Sequence, residues 1–326
     1  MMKKMFSWLM LMSLCLLLCG CRAAATMETT PSPAPQKGSP ALPEKLERNE
    51  QGIPVLQVYH TDAEKVEKMD LETYLLGVVA GEMKNDWPLE ALKAQAILAR
   101  TFVLKFCEEK ESKYAGADIS TDIEEAQAFD ETAVNDRVEQ AVKETEGMVL
   151  AHGSELPYAW FHAHSGGMTA GATEGLNYEK GEPGYIKVTA GMESEKAPED
   201  AARWEAAFTA EEFAAACREA GLKGIKSLES VTVGKRGLSG RAETLLVNGT
   251  DVSAANLRIA LGSTKMRSTL LTALRMEDGR VYMAGKGYGH GVGMPQWGAY
   301  GMAEQGKTAE EIVTYYFKDV TVEKLW

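Results

Sequence analysis

"DLETYLLGVVAGEMKNDWPLEALKAQAILARTF", Asp70 to Phe102, sets the architecture of this chain. Asp70 is a good helix N-cap, and apolar residues follow at Leu71, Tyr74, Leu75, Val78 and Val79, the spacing of one helical face. The next two positions on that face are Glu82 and Met83, so a carboxylate stands where the pattern asks for a core residue. The chain then turns through Lys84 to Trp87, and a second helix is expected from Pro88, a residue suited to the first helical position. Its apolar stripe runs through Leu89, Leu92, Ala96, Ala99, Val103 and Phe106. The alanines allow close packing against the helix that carries Glu82.

Outward from this pair, "IPVLQVYH" (Ile53 to His60) alternates as a strand does. A short helix is expected near Asn135 to Glu146, then a hairpin from "GMVLAH" and "LPYAWFHAHSGG" with "GSE" at its turn. Thr209 caps a helix, "SVTVGKRGLSGRAETLLVNG" reads as two strands and "SAANLRIALG" as a short helix. "RMEDGRVYMAGKG" reads as a last hairpin, with helices over Trp297 to Gln305 and Ala309 to Phe317. The sum is α+β, with helices segregated from antiparallel strands.

The chain of 326 residues has 35 basic and 47 acidic side chains, a formal charge of -12, and no lysine- or arginine-rich stripe. A nucleic-acid partner held through its phosphates is therefore not expected. At the N-terminus, Lys3 and Lys4 precede an apolar run from Met5 to Leu18, a secretory signal pattern. "LCGC" (Leu18 to Cys21) is similar to a bacterial lipobox, which makes Cys21 the expected lipidation site; a signal-anchor helix is the alternative for residues 1–21. Either form puts the remaining chain on the extracytoplasmic face of the membrane. Residues 22–52, with Pro31, Pro33, Pro35, Pro40 and Pro43 among Ala, Thr and Ser, read as an unfolded tether. Residues 53–326 are the globular domain. Its Cys107 and Cys217 define no disulfide framework.

Three features could carry chemistry. A carboxylate on an apolar face is desolvated, which raises its pKa and suits Glu82 to general acid work; pairing with Arg100 or capping a turn would be the structural alternative. His162 and His164 share a strand face with Trp160, and with His290 could ligate a metal. The third is "GKGYGHGVGMPQWGAY" (Gly285 to Tyr300), whose alternate glycines match neither the dinucleotide fingerprint nor a P-loop. Glycines at Gly285, Gly287, Gly289, Gly291 and Gly293 would make a flat, accessible backbone wall for an extended polymer.

Together "YLLGVVAGEMKNDWPLEALKAQAILARTF", "FHAHSGGMT" and "GHGVGMPQWGAYGMA", with "LSGRAETLLVNG" and "LRIALGST" in order between them, resemble the stage II sporulation protein D (SpoIID/LytB) family across Ile53 to Trp326. The resemblance implies a lytic transglycosylase of peptidoglycan, which cuts between N-acetylmuramic acid and N-acetylglucosamine and leaves a 1,6-anhydro end. It implies denuded glycan strands as substrate, engulfment during sporulation as the setting, and an amidase similar to stage II sporulation protein P as partner. The family's catalytic glutamate falls on Glu82; with a glycan as substrate, the glycine loop is expected to wall its groove, and the candidate substrate-binding residues are His162, Ser165, Gly166, Gly167, Thr169, Tyr288, His290, Gly291, Gly293, Gln296 and Trp297. No cofactor is implied. Some clostridial members carry a zinc site in the loop after the second helix, but "STDIEEAQ" has Ser120, Glu125 and Ala126 where they have Cys, His and Cys, so no metal is expected there. Ala163-His164 stands where the family often has Ser-Thr. The LytB branch implies an alternative, a non-catalytic glycan-binding modifier of an amidase, and the three histidines leave a metallohydrolase as a weaker one.

Overall fold

The computed structural model describes residues 38–326. The signal or anchor at residues 1–21, with Cys21, and the first part of the tether lie outside the described residues. Among the described residues no helix is long and apolar enough to cross a membrane. The second half of the expected tether is ordered. Pro40 and Leu46 are buried, and β1 (Glu47–Arg48) pairs with β2 (Pro54–His60) across a turn whose amides Asn49 Oδ1 accepts. Leu46 supplies apolar surface that proline content alone conceals, so the unfolded reading is corrected from Gly38 onward.

The described residues are α+β and pack around two hydrophobic cores. The first opens with β1, β2 and β3 (Lys65–Asp70), a meander whose other edge of β2 takes β4 (Ile119–Ser120) in parallel. Helix α1 (Leu71–Glu82) follows without a break, because Asp70 accepts from Thr73 N and caps it. Leu71, Tyr74, Leu75, Val78 and Val79 are wholly buried, as the period requires. Helix α2 (Leu89–Glu109) starts one residue later than expected, with Pro88 as its N-cap. α3 (Asp136–Glu144) then packs on α2.

β5 (Met148–Ala151) and β6 (Phe161–His162) were expected to form a hairpin, and the structure corrects this. A lone bridge between His152 and Glu155 closes the "GSE" turn. β5 instead pairs with the C-terminal strand, and β6 pairs in parallel with a strand after the glycine stretch. Short helices α4 (Ala172–Leu176) and α5 (Glu199–Ala202) complete this part of the chain.

Residues 203–286 build the second core. β7 (Arg203–Thr209) leads into α6 (Ala210–Glu219), closed by the Thr209–Glu212 capping box. β8 (Val231–Val233), β9 (Thr244–Val247) and β10 (Thr250–Ser253) form one antiparallel sheet, and α7 (Ala254–Ala260) follows. The hairpin of β11 (Leu271–Glu277) and β12 (Arg280–Lys286) takes β7 as its third strand. The chain then returns to the first core through β13 (Met294–Pro295), α8 (Gln296–Glu304), α9 (Ala309–Tyr316) and β14 (Thr321–Lys324). β13 and β14 are the partners of β6 and β5.

Candidate functional site

Glu82 is the last residue of α1, and three groups lie about this end of the helix. The first is the loop after α2. Gly77 and Gly81 leave one face of α1 bare, and a Cβ on Gly81 would stand 2.7 Å from Phe129 N and 2.8 Å from the Ala128 carbonyl carbon. Only that absence lets backbone lie directly on the helix. There Asp130 N donates to Gly77 O at 2.9 Å, and Ala128 N donates to Glu82 Oε1 at 2.7 Å. The loop is tied by its own side chains: Glu125 accepts from Ser112 Oγ and Lys113 N, and Asp122 takes the Lys113 ammonium at 2.7 Å and the Tyr114 hydroxyl at 2.8 Å.

The second piece is the start of α8. Gln296 Nε2 donates to Glu82 O at 3.0 Å and to Glu82 Oε2 at 3.2 Å. The third is aromatic. Trp87, in the turn after α1, lies 4.4 Å centroid to centroid from Trp297 and 5.1 Å edge-on from Tyr300.

Arg100 does not pair with Glu82. It pairs with Glu72, its Nε 2.9 Å from Oε1 and its Nη2 2.6 Å from Oε2. Among the described residues Glu82 makes no ion pair. Burial pushes its carboxyl up to about 6, against the opposing pull of the Ala128 and Gln296 hydrogen bonds. Its place at the C-terminal end of α1, the negative end of the helix dipole, also disfavours the charged form. Glu82 nonetheless keeps part of its surface open to solvent. A carboxyl in this state can give up a proton and take one back near neutrality.

The glycine stretch explains how Gln296 arrives there. Gly287, Gly289, Gly291 and Gly293 all have positive φ, and the irregular segment they form crosses the "HSGG" segment at contact distance. At Gly293 (φ 72°) a Cβ would stand 2.0 Å from Trp160 O; at Gly291 (φ 88°) it would meet the Arg241 guanidinium at 2.5 Å. Gly285, Gly287, Gly291 and Gly293 are buried, so the expectation of an accessible wall is corrected. What approaches these glycines is the protein's own backbone together with the Trp204, His162 and Arg241 side chains. The crossing pairs Pro295 with His162 and delivers Gln296, the next residue, to Glu82.

Of the other expected site residues, Trp297 joins the aromatic group beside Trp87. His162 is buried and donates from Nδ1 to Val292 O at 3.1 Å, and its Nε2 has no partner. Burial holds His162 well below its ordinary pKa and pulls His290, 5.6 Å away ring to ring, down to about 3. His164 turns away from them, accepting from Gly166 N at 2.9 Å near Glu193. Among the described residues no group of three or more His, Cys, Asp or Glu could hold a metal ion. Ser165 is buried, its backbone N donating to Glu193 Oε1 at 2.7 Å and its hydroxyl bonded to the same oxygen. Thr169 exchanges bonds with the Thr189 backbone. Gly166 is packed on Lys286 and Leu270, and Tyr288 pairs with His164 in an isolated bridge. Gly167 has open space around it.

The sequence reading missed Ala128, Gly77, Gly81, Glu193 and Arg241. The two α1 glycines, four apart, were a legible sign of close backbone approach. Arg241 gave no sign, yet it is buried and donates to Ser165 O at 2.5 Å and Met168 O at 2.8 Å, holding the "HSGG" turn against the second core.

Comparison with known proteins bears on this arrangement. The profile of "Stage II sporulation protein" (SpoIID) matches residues 59–152, which include Glu82, and that of "Domain of unknown function (DUF8618)" matches residues 177–293. The chain is 30% identical over 321 residues to stage II sporulation protein D of Bacillus subtilis, covering 92% of this chain and 87% of that one. It is 31% identical over 281 residues to stage II sporulation protein D of Bacillus amyloliquefaciens, covering 81% and 77%. The amidase enhancer of Bacillus subtilis is 24% identical over 291 residues, 76% of this chain and 40% of that one.

Proposed function

Because this chain belongs to the stage II sporulation protein D family, we propose that it acts on the cell wall as a lytic transglycosylase of denuded glycan strands, cleaving between N-acetylmuramic acid and N-acetylglucosamine. The observation that carries the reading is Glu82: a carboxyl with no cation beside it among the described residues, pushed up to about 6 by burial and held by two neutral donors. In the first half-reaction protonated Glu82 gives its proton to the glycosidic oxygen as the C1–O bond breaks. The carboxylate so formed then takes the proton of the sugar's own 6-hydroxyl as that oxygen bonds to C1. The proton count closes, no water is consumed, and a 1,6-anhydro end results. One carboxyl suffices, unlike the paired acids of hydrolytic glycosidases. Gln296 and Ala128 N position the carboxyl.

This reading places the chain at the outer face of the membrane, held through Cys21 or an N-terminal anchor, with an amidase supplying the stripped strands. Mass spectrometry of amidase-stripped glycan after incubation with the protein tests it. Anhydro-ended fragments are expected from the native chain and not from Glu82→Gln. The similarity to the amidase enhancer supports a second reading, a non-catalytic glycan-binding partner of an amidase. Under that reading neither protein releases fragments, and both raise amidase activity equally.

A further inference from the structure

At the far end of α2 from Glu82, a cleft of about 340 Å³ opens among aromatic side chains. Tyr158 and Trp160 stack at 4.9 Å with an 8° tilt, and Tyr178 stands edge-on to both. Phe102 and Phe106, from the last turns of α2, form the opposite wall. From the Leu89 end of α2, beside the turn that follows Glu82, to Phe106 is roughly 25 Å along the helix axis. The cleft is therefore separate from the Glu82 site.

Its charge runs against that of the chain. The protein has a net charge of -12, yet three lysines and no acidic residue line this cleft. Lys105 is neutralised by Glu108 at 2.9 Å and Glu109 at 2.8 Å. Glu109 also takes the Tyr158 hydroxyl, which fixes that ring. Lys110 and Lys180 have no carboxylate within ion-pair distance among the described residues, and Lys110 Nζ lies over the Phe106 ring at 5.7 Å. Aromatic faces with two uncommitted ammonium groups at the rim match one ligand chemistry: a sugar whose apolar face lies on a ring and whose substituent is an anion.

We propose that this cleft is a second glycan-binding site, which grips an N-acetylmuramic acid of the strand through its lactyl carboxylate, away from the bond being cut. The choice of ligand rests on the function proposed above. Removal of a stem peptide by an amidase frees one carboxylate on every muramic acid, so a stripped strand is a polyanion whereas chitin oligomers are neutral. Lys110 and Lys180 would bind that carboxylate, and Trp160 or Tyr178 would carry the sugar ring. A strand of a few disaccharides is long enough to reach from this cleft to Glu82.

The test measures binding by the full-length protein carrying Glu82→Gln, so that no strand is consumed. Three probes are used: amidase-stripped glycan strands, the same strands with their carboxylates methyl-esterified, and the neutral hexamer of N-acetylglucosamine. Adding Lys110→Ala with Lys180→Ala, both exposed, should weaken binding of stripped strands about tenfold. Binding of the esterified and neutral probes should not change. Trp160→Ala should weaken all three, and if it does not fold, the lysine pair still decides. Native affinity of the lysine variant for stripped strands would overturn the proposal. So would an equal loss on the neutral hexamer. Failure of the transglycosylase reading looks different: the native chain would release no anhydro-ended fragments, while the binding comparison would stand or fall unaffected.

Discussion

Helix α1 carries a glutamate in its first turn and another in its last, and the protein treats the two in opposite ways. Glu72 receives Nε and Nη2 of a fully buried guanidinium, and Gly147 N donates to it as well. Glu82 receives one backbone amide and one side-chain amide, with no cation among the described residues. The first arrangement compensates a charge and ties α1 to α2. The second desolvates a carboxyl without compensating it, which leaves its proton mobile near neutrality. Residue type and helix are the same, so the difference lies in which end of the helix dipole each occupies and in what the rest of the chain brings there.

The largest effect expected from breaking this contrast is on catalysis. Glu82→Gln should lower release of anhydro-ended fragments by about 10²- to 10⁴-fold, the usual worth of general acid–base catalysis. Glu72→Gln, assayed as folded protein, should cleave at nearly the native rate; a comparable loss there would show that the two ends are not functionally distinct. On stability the order reverses. Arg100→Met leaves Glu72, which is mostly buried, without its cation and should cost about 3–5 kcal/mol in urea unfolding at pH 7.

Gly81→Ala sharpens the comparison at the Glu82 end alone. Its Cβ would collide with the backbone of Ala128 and Phe129, so the loop must shift, at about 1–3 kcal/mol. Because Ala128 N favours the charged carboxylate, its withdrawal should also move the ionisation of Glu82 in the pH–rate profile upward. Glu82→Gln itself should have a pH-dependent effect on stability. The folded pKa of Glu82, about 6, lies above the ordinary 4.5, so its contribution is full below pH 4.5 and is lost as pH rises through 6. Glu82→Gln should thus be more stable than the native chain at pH 8, by on the order of 2 kcal/mol at most, and gain nothing at pH 4. The smallest change expected is from Gln296→Ala. Loss of that donor should raise the Glu82 ionisation in the pH–rate profile. An unmoved profile would show that Gln296 does not position the acid.

Much of this was legible in local pattern. The caps at Asp70 and Thr209, the 71–83 period and the hairpin read over 275–287 are short-range signals, and each element formed about where its signal lay. What failed was pairing at long range. β5 joins β14 across some 170 residues, and no turn between them announces it. The glycine stretch failed for a related reason. A run of glycines reports that something comes close to the backbone, and the sequence carries no information on which atoms these are. They proved to be Trp160 O, His164 O and the Arg241 guanidinium. The aromatic cleft was illegible because Phe102, Trp160 and Tyr178 lie on separate stretches, each ordinary by itself.

The sequence by itself determined that Glu82 sits on the apolar face of a helix, because side-chain direction in a helix follows from a fixed turn of backbone. It also determined the family, through motifs that keep their order along the chain. Only the tertiary structure decided that this carboxyl would meet no cation, that Ala128 N would reach it from 46 residues away, and that Gln296 would reach it from 214. A carboxyl's pKa is set by everything within a few ångströms, and those neighbours are gathered by folding from positions whose spacing in sequence records nothing of their contact.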